Sequence, residues 1–357
     1  MNLKTVLLFS RDPGGCNSVA PLFSFFKERH FKPLLYAKDF SNRKMIDFFG
    51  LHPIDVLNEV PNLSEKAIEQ WLAKLNPNIV ITGTSFGDAT ERSIWLACKN
   101  LKITSFAILD HWINYAIRFK KEDGQYIFPD NIVVPDLDAK DLAVKEGLPS
   151  SALHVLGNPY YDFLRSWKST QTIDKIRQKF LMDSNKDQLV VFASESISSS
   201  PAKFGYSEKE ILEHLLNSIA TRPENAPQVS VVVRPHPKED FQDLIRICNR
   251  FQSSHLRTFV SSDENSIDLI LASNLVCGMI SQFLIETVVM KKSAISIQIG
   301  LNAKDPFILT QKGVLPLITN KNQLDGLIRN FHLNEKQRPS FEPPYQCMEN
   351  ILKMWKE

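Results

Sequence analysis

The sequence predicts an α/β protein built from two parallel-sheet domains, and three observations carry that expectation. Apolar strand-like runs alternate with helical stretches along the chain, the pattern of strands joined by crossover helices. The strand-like runs, such as TVLLFS and LVVFA, are continuously apolar, which indicates a sheet covered on both faces. The alternation breaks once, at the polar stretch RSWKSTQTIDKIRQKFLMDSNKDQ, and then restarts. A length of 357 residues also favours two domains over one.

In the first half, TVLLFS reads as a strand, GGCNSVAPLFSFFKERH as a loop opening a helix, and KPLLYA as a second strand. SEKAIEQWLAKLNP is helical, NIVITGTS a strand, ATERSIWLACKNLK helical, and ITSFAILD and DNIVVPD strands. LDAKDLAVKEG and ALHVLGNP complete this half as helix and strand. After the boundary, near Trp167, strands are expected at LVVFASES, QVSVVVRPHP, RTFVSS, LVCGMIS and SAISIQIG. Helices separate them, among them EKEILEHLLNSIATR and QFLIETVVMKK. The expected domains are 1–167 and 168–340, with 341–357 as a closing amphipathic helix, and two such domains imply a cleft for ligands.

Composition narrows the function. Lys and Arg total 42 against 40 Asp and Glu, so charge gives no argument for a nucleic-acid partner. Cys16, Cys98, Cys248, Cys277 and Cys347 are scattered and form no CxxC, which fits a reducing, cytoplasmic setting. No stretch has the length and apolarity of a membrane helix. FSFFKERHFK reads as a helix burying its Phe face, with peripheral membrane contact as the alternative.

Six stretches carry candidate chemistry. In SRDPGGCNSVAPLF, Gly14 and Gly15 sit where a strand turns into a helix, and backbone N–H groups there suit an anion. In FAILDHWINYAIRF, Asp110 and His111 lie where a strand runs into a loop and could serve as general base or as its orienting partner. Trp112 and Tyr115 offer flat surface for a sugar or base, and Arg118 offers a cation. In HVLGNPYYDF, Gly157 marks a turn, and Tyr160, Tyr161 and Asp162 are candidates to line the cleft. In VFASESISSS, Ser194 and Ser196 are neutral donors to phosphate.

In VVVRPHPKED, Arg234 is a permanent cation able to bridge phosphate oxygens, and His236 is a tunable donor. Pro235 and Pro237 stiffen the turn that aims them. In GMISQFLIETVVMKK, Ser281 and Gln282 open a helix and could face a phosphate, with Glu286 reaching a ribose hydroxyl. Asp136 and Asp138 form a DxD, but it reads as the acidic start of a helix rather than a metal site, so no metal is expected.

RPHP after a strand, followed by IDLILASNLVCGMISQFLIETVVMKKSAISI, resembles the C-terminal half of two-domain B-fold glycosyltransferases. The likeness is greatest to the branch of CDP-glycerol glycerophosphotransferases and bacterial sialyltransferases, whose histidine motif matches at His236. Their serine motif matches at Ser281 alone, where the branch carries two adjacent serines. DHWINYAIRF, PDNIVVPDLDAKDLAVKEGL and VLGNPYYD resemble surface-polysaccharide proteins related to UDP-N-acetylglucosamine 2-epimerases.

The resemblance implies two Rossmann-like domains facing across a cleft, the GT-B arrangement, and a metal-independent glycosyltransferase of surface polysaccharide or glycolipid assembly. A nucleotide-sugar donor, of UDP or CMP/CDP type, would bind the C-terminal domain through Arg234, His236, Ser281 and Glu286. A glycan or lipid-linked acceptor would meet Asp110 or His111 as base. No other cofactor is implied. The alternatives are a nucleotide-sugar 2-epimerase, a glycerophosphotransferase and a non-catalytic nucleotide-sugar-binding protein.

Overall fold

The computed structural model describes residues 3–169, 173–181, 183, 186–197, 201–236, 239–329, 341 and 343–356. The chain divides into two compact units, Met1–Phe163 with Glu342–Glu357, and Leu164–Phe341.

The first unit holds a sheet of seven strands: β1 (Thr5–Ser10), β2 (Lys32–Ala37), β3 (Ile54–Asp55), β4 (Ile79–Thr82), β5 (Thr104–Ile108), β6 (Asn131–Val134) and β7 (Leu153–Val155). Their order is β3-β2-β1-β4-β5-β6-β7, and every pairing is parallel. Side chains of a strand alternate between faces. Val6 and Leu8 therefore join Val19 and Phe26 in one core cluster, while Leu7 and Phe9 join Trp71 and Ile94 in another. Burial on both faces is what the continuous apolar run TVLLFS required.

The Phe-rich stretch lies in and just after the helix Pro13–Glu28. Phe25 and Phe26 are buried, and Phe26 meets Phe31 edge-on with ring centroids 5.4 Å apart. Phe31 in turn packs near Trp355 of the helix Cys347–Lys356. The apolar face is thus spent inside the unit. No helix among the described residues is long and apolar enough to cross a membrane.

The C-terminal helix belongs to the first unit, where Cys347 and Ile351 join the cluster of Val6 and Leu8. Asp162 receives the N–H groups of Gln346 and Met348, both at 3.1 Å, and so ties down the start of this helix. Gly157 has φ +95°, and a Cβ there would lie 2.5 Å from the carbonyl oxygen of Pro344. Tyr160, Tyr161 and Asp162 follow this glycine in the helix Pro159–Ser166. Both tyrosines are buried, and the carboxylate holds the returning C-terminal segment.

The second unit holds β8 (Gln188–Ala193), β9 (Val229–Arg234), β10 (Leu256–Val260), β11 (Leu275–Gly278), β12 (Ala294–Ile297) and β13 (Leu317–Ile318), in the order β10-β9-β8-β11-β12-β13. All these pairings are parallel as well. The helix Glu208–Ala220 opens on a capping box between Ser207 and Glu210, two orphan donors satisfied reciprocally. Leu212, Leu215 and Leu216 bury its inner face against Val231 and Val233.

Both sheets begin on a central strand, build outward to one edge, and then cross to the other side. The crossing lies between β1 and β4 in the first unit and between β8 and β11 in the second. At such a reversal the connecting loops diverge and leave a crevice at the carboxyl ends of the strands, where ligands of open α/β sheets bind.

Candidate functional sites at the two strand reversals

In the first unit, β1 ends at Ser10 and the helix begins at Pro13, where a missing N–H costs nothing. Asp12 between them accepts the Phe86 N–H at 3.1 Å and the Arg11 guanidinium at 2.7 Å. Arg11 also binds Asp39 at 2.8 Å, and Lys38 binds Asp88 at 2.6 Å. The loops after β1, β2 and β4 are thereby joined by charge.

Two glycines allow the close approach of these loops. A Cβ on Gly83 would lie 2.7 Å from the Gly15 Cα, so the β4 loop can cross the helix start only with glycine there. A Cβ on Gly14 would lie 1.6 Å from Oδ2 of Asp110. The space a side chain would take is filled by the protein's own carboxylate, held against the positive end of the helix. The other oxygen of Asp110 receives Arg118 at 2.6 Å, and Arg118 reaches Thr84 at 2.7 Å.

His111 accepts the Trp112 N–H on Nδ1 at 2.9 Å. Burial pulls its pKa down, with Asp110 pulling the other way and Arg118 adding to the fall. With Nδ1 occupied as an acceptor, Nε2 is the ring nitrogen left to exchange a proton.

Trp112 and Tyr115 are not a platform. Both are buried, and the Trp112 indole donates to Asp136 at 2.9 Å. Asp136 also accepts the Ala139 N–H at 2.8 Å, capping the helix Leu137–Lys145, with Asp138 in its first turn. The DxD is a helix start.

In the second unit, Glu239 joins two predicted residues. One of its oxygens takes the Ser194 hydroxyl at 2.6 Å, and the other takes the His236 backbone N–H. Glu195 receives the N–H groups of Met279 at 3.2 Å and Ile280 at 2.8 Å, bridging the loops after β8 and β11. Burial pushes its carboxyl up to about 7, and those two N–H groups pull it back only in part. Ser196 follows on the same loop, partly buried.

Arg234 closes β9 and donates to the backbone carbonyl of Glu264 at 2.9 Å. Among the described residues it forms no ion pair, and burial pulls its pKa down against the raising influence of Glu286 and Glu264. Pro235 is buried beside it, and Pro237 lies outside the described residues. Ser281 caps the helix Gln282–Val289, its hydroxyl accepting the Phe283 N–H at 3.2 Å. Gln282 is partly exposed at the helix start, and Glu286 is buried one turn further on.

The predicted residues thus fall into two groups. Gly14, Gly15, Asp110 and His111 are in the first unit; Ser194, Ser196, Arg234, His236, Ser281, Gln282 and Glu286 are in the second. Gly14 and Gly15, read as nucleotide-binding, stand with the candidate base Asp110 instead. The residues that sequence reasoning passed over are Thr84, Ser85 and Glu91 after β4, and Glu239 after β9. The glycine of TGTS, directly after an apolar strand, was the signal for the first three.

No protein-family model matches the sequence, and a search among curated proteins finds no match. Solved structures do match. A protein from Listeria monocytogenes assigned as a UDP-N-acetylglucosamine 2-epimerase superposes with a TM-score of 0.71 at 17% identity, covering 99% of this chain and 96% of that one. The UDP-N-acetylglucosamine 2-epimerase of Methanocaldococcus jannaschii gives 0.69 at 12%, covering 99% of both chains. That of Neisseria meningitidis, bound to UDP-N-acetylglucosamine, gives 0.65 at 14%, covering 98% of this chain and 99% of that one. The fold is of GT-B type. This likeness extends over nearly the whole chain, so neither unit is an addition to the shared architecture.

Proposed function

We propose that the chain is an enzyme acting on a UDP-sugar, and that its reaction is epimerisation beside the sugar's anomeric carbon. The observation that carries the reading is Arg234, a largely buried cation with no ion pair among the described residues, at a strand end next to the reversal of the second sheet. Keeping a buried guanidinium outside any ion pair costs stability unless a ligand supplies the anion. The resemblance in fold to 2-epimerases that bind UDP-N-acetylglucosamine points to a nucleotide diphosphate as that anion.

The second unit would then hold the nucleotide. Arg234 takes phosphate oxygens, Ser281 and the following N–H groups add neutral donors, and Glu286 accepts from the ribose. The first unit would hold the groups that act on the sugar. Inverting the carbon beside the anomeric centre requires its C–H electron pair to form a double bond as UDP leaves the anomeric carbon, and UDP to return as a proton is delivered to the opposite face. Asp110, paired with Arg118, is the acceptor, and the Nε2–H of His111 is a donor to the oxygen of the leaving phosphate as it gains charge.

Transfer to a glycan or lipid-linked acceptor is the competing reading, and one experiment separates the two. The protein is incubated in deuterium oxide with UDP-N-acetylglucosamine and no acceptor. Epimerisation predicts a C2 epimer carrying deuterium at C2. Unchanged sugar that reacts only after an acceptor is added would replace this reading by transfer.

A further inference from the structure

Glu91 lies in the first turn of the helix Thr90–Leu101, at the carboxyl end of β4, and is 2% exposed. Its Oε1 receives the buried hydroxyl of Ser85 at 2.6 Å. Its Oε2 is buried and has no hydrogen-bond partner. A buried polar atom left unpaired costs on the order of 1–3 kcal/mol, so its retention calls for an explanation.

The surroundings sharpen the question. The charged groups that face Glu91 are carboxylates, Asp12 from the turn after β1 and Asp88 from the loop before its own helix. The nearby cations are committed elsewhere: Arg11 to Asp12 and Asp39, Lys38 to Asp88, and Arg118 to Asp110. Arg92, next to it in sequence, sends its guanidinium to the carbonyl of Arg118. Glu91 forms no ion pair among the described residues. Burial pushes its carboxyl up to about 7, and Asp88 and Asp12 push the same way.

The geometry separates the two oxygens by task. Ser85 already occupies Oε1, so an added proton goes to Oε2 and leaves the Ser85 bond in place. We propose that the Ser85–Glu91 pair is a proton-coupled positioning element of the first unit's crevice, and that binding of a nucleotide sugar is accompanied by uptake of one proton from solvent at Oε2 of Glu91. The inference rests on the function proposed above. A ligand that excludes water from the crevice favours the neutral carboxyl. The neutral carboxyl relieves repulsion against Asp12, whose other partners are Arg11 and the Phe86 N–H of the same β4 loop. Ser85 and Glu91 act through that loop and need not touch the ligand.

Calorimetric titration with UDP-N-acetylglucosamine in two buffers of different ionisation enthalpy, near pH 7.5, counts the protons taken up. At that pH a carboxyl with a pKa of about 7 already carries about a quarter of a proton, so the wild type is expected to take up about three quarters of a proton per ligand. Glu91→Gln, which keeps an acceptor for Ser85, is expected to bind with none. Wild-type binding with no proton exchange, or exchange that persists in Glu91→Gln, overturns the proposal while leaving the proposed function standing. Absence of any wild-type binding removes the proposed function and this inference with it.

The unliganded protein supplies a second readout. A carboxyl whose folded pKa is raised loses stability as pH rises toward that value. Glu91→Gln is therefore expected to gain melting temperature over wild type between about pH 5.5 and pH 8.5. A difference that does not change with pH shows that the Glu91 carboxyl is not raised in the unliganded protein, and the premise that its unpaired oxygen is poised to take a proton fails with it.

Discussion

The two units share a strand order, yet the carboxyl ends of their central strands are furnished differently. In the first, Arg11, Lys38 and Arg118 are each paired with carboxylates, and Asp110 fills the space left by Gly14 against the helix start. In the second, Arg234 donates to a backbone carbonyl, and the neighbouring loop offers a hydroxyl and a helix opening at Ser281. The same architecture has therefore been charged in opposite senses. A crevice whose cations are spent on its own carboxylates suits a neutral ligand rich in hydroxyl groups. One with an uncommitted guanidinium suits an anion. A nucleotide sugar has both parts, and the proposed function uses the contrast to divide them.

The largest expected effect is on chemistry in the first unit. Asp110→Asn removes the proposed base but leaves a group that Arg118 can still hold. Turnover should fall on the order of 10²–10⁴-fold, with UDP affinity within about twofold of wild type. Steady-state kinetics with direct UDP titration checks this. A parallel loss of UDP affinity would place Asp110 at the nucleotide and break the contrast.

Next comes the loop crossing. Gly83→Ala sets a methyl 2.7 Å from the Gly15 backbone, which cannot yield as a side chain can. Unfolding in denaturant should show a loss of about 2–3 kcal/mol, the cost of overpacking. Gly14→Ala meets a side-chain oxygen instead, so it should cost less stability and show itself as lost turnover through a displaced Asp110. Equal stability loss in both would mean that Asp110 is as rigid as backbone.

Glu195 gives a smaller, pH-dependent effect in the second unit. Its folded pKa of about 7 is above the ordinary 4.5, so its contribution to stability is present at low pH and is lost as pH rises toward 7. Glu195→Gln should narrow the melting-temperature difference measured between about pH 5 and pH 8. A variant with the wild-type pH slope would show that this carboxyl is ionised throughout. The smallest effect lies where the C-terminal helix is tied to the first unit. Asp162→Ala leaves the N–H groups of Gln346 and Met348 without their acceptor and should cost about 1 kcal/mol, with turnover unchanged.

The long strands were readable because burial on two faces writes itself as an unbroken apolar run, as in TVLLFS and VSVVVR. The two-residue strands Ile54–Asp55 and Leu317–Ile318 leave no such run. The helix Phe40–Phe49 was passed over because it buries only Ser41 and Met45, too few for a clear period. Arg234 was readable because a cation at the end of an apolar strand is conspicuous. Glu91 was not, since an acidic residue in a first helical turn is what the helix dipole alone would select. Trp112 and Tyr115 show the limit from the other side. An aromatic beside polar residues at a strand end reads as a platform, and only the fold reveals that both rings point inward.

Calorimetric titration of Arg234→Ala with UDP and with uridine tests the role of the unpaired guanidinium of the second unit. If Arg234 awaits a phosphate, the variant loses about 1.5–3 kcal/mol of UDP affinity, the scale of a hydrogen bond to a charged group. Uridine binding is then unchanged, and the unliganded variant melts at or above the wild-type temperature. Equal losses for UDP and uridine, or an unliganded variant destabilised by several kcal/mol, would show that Arg234 serves the fold and would contradict the division of labour between the two units.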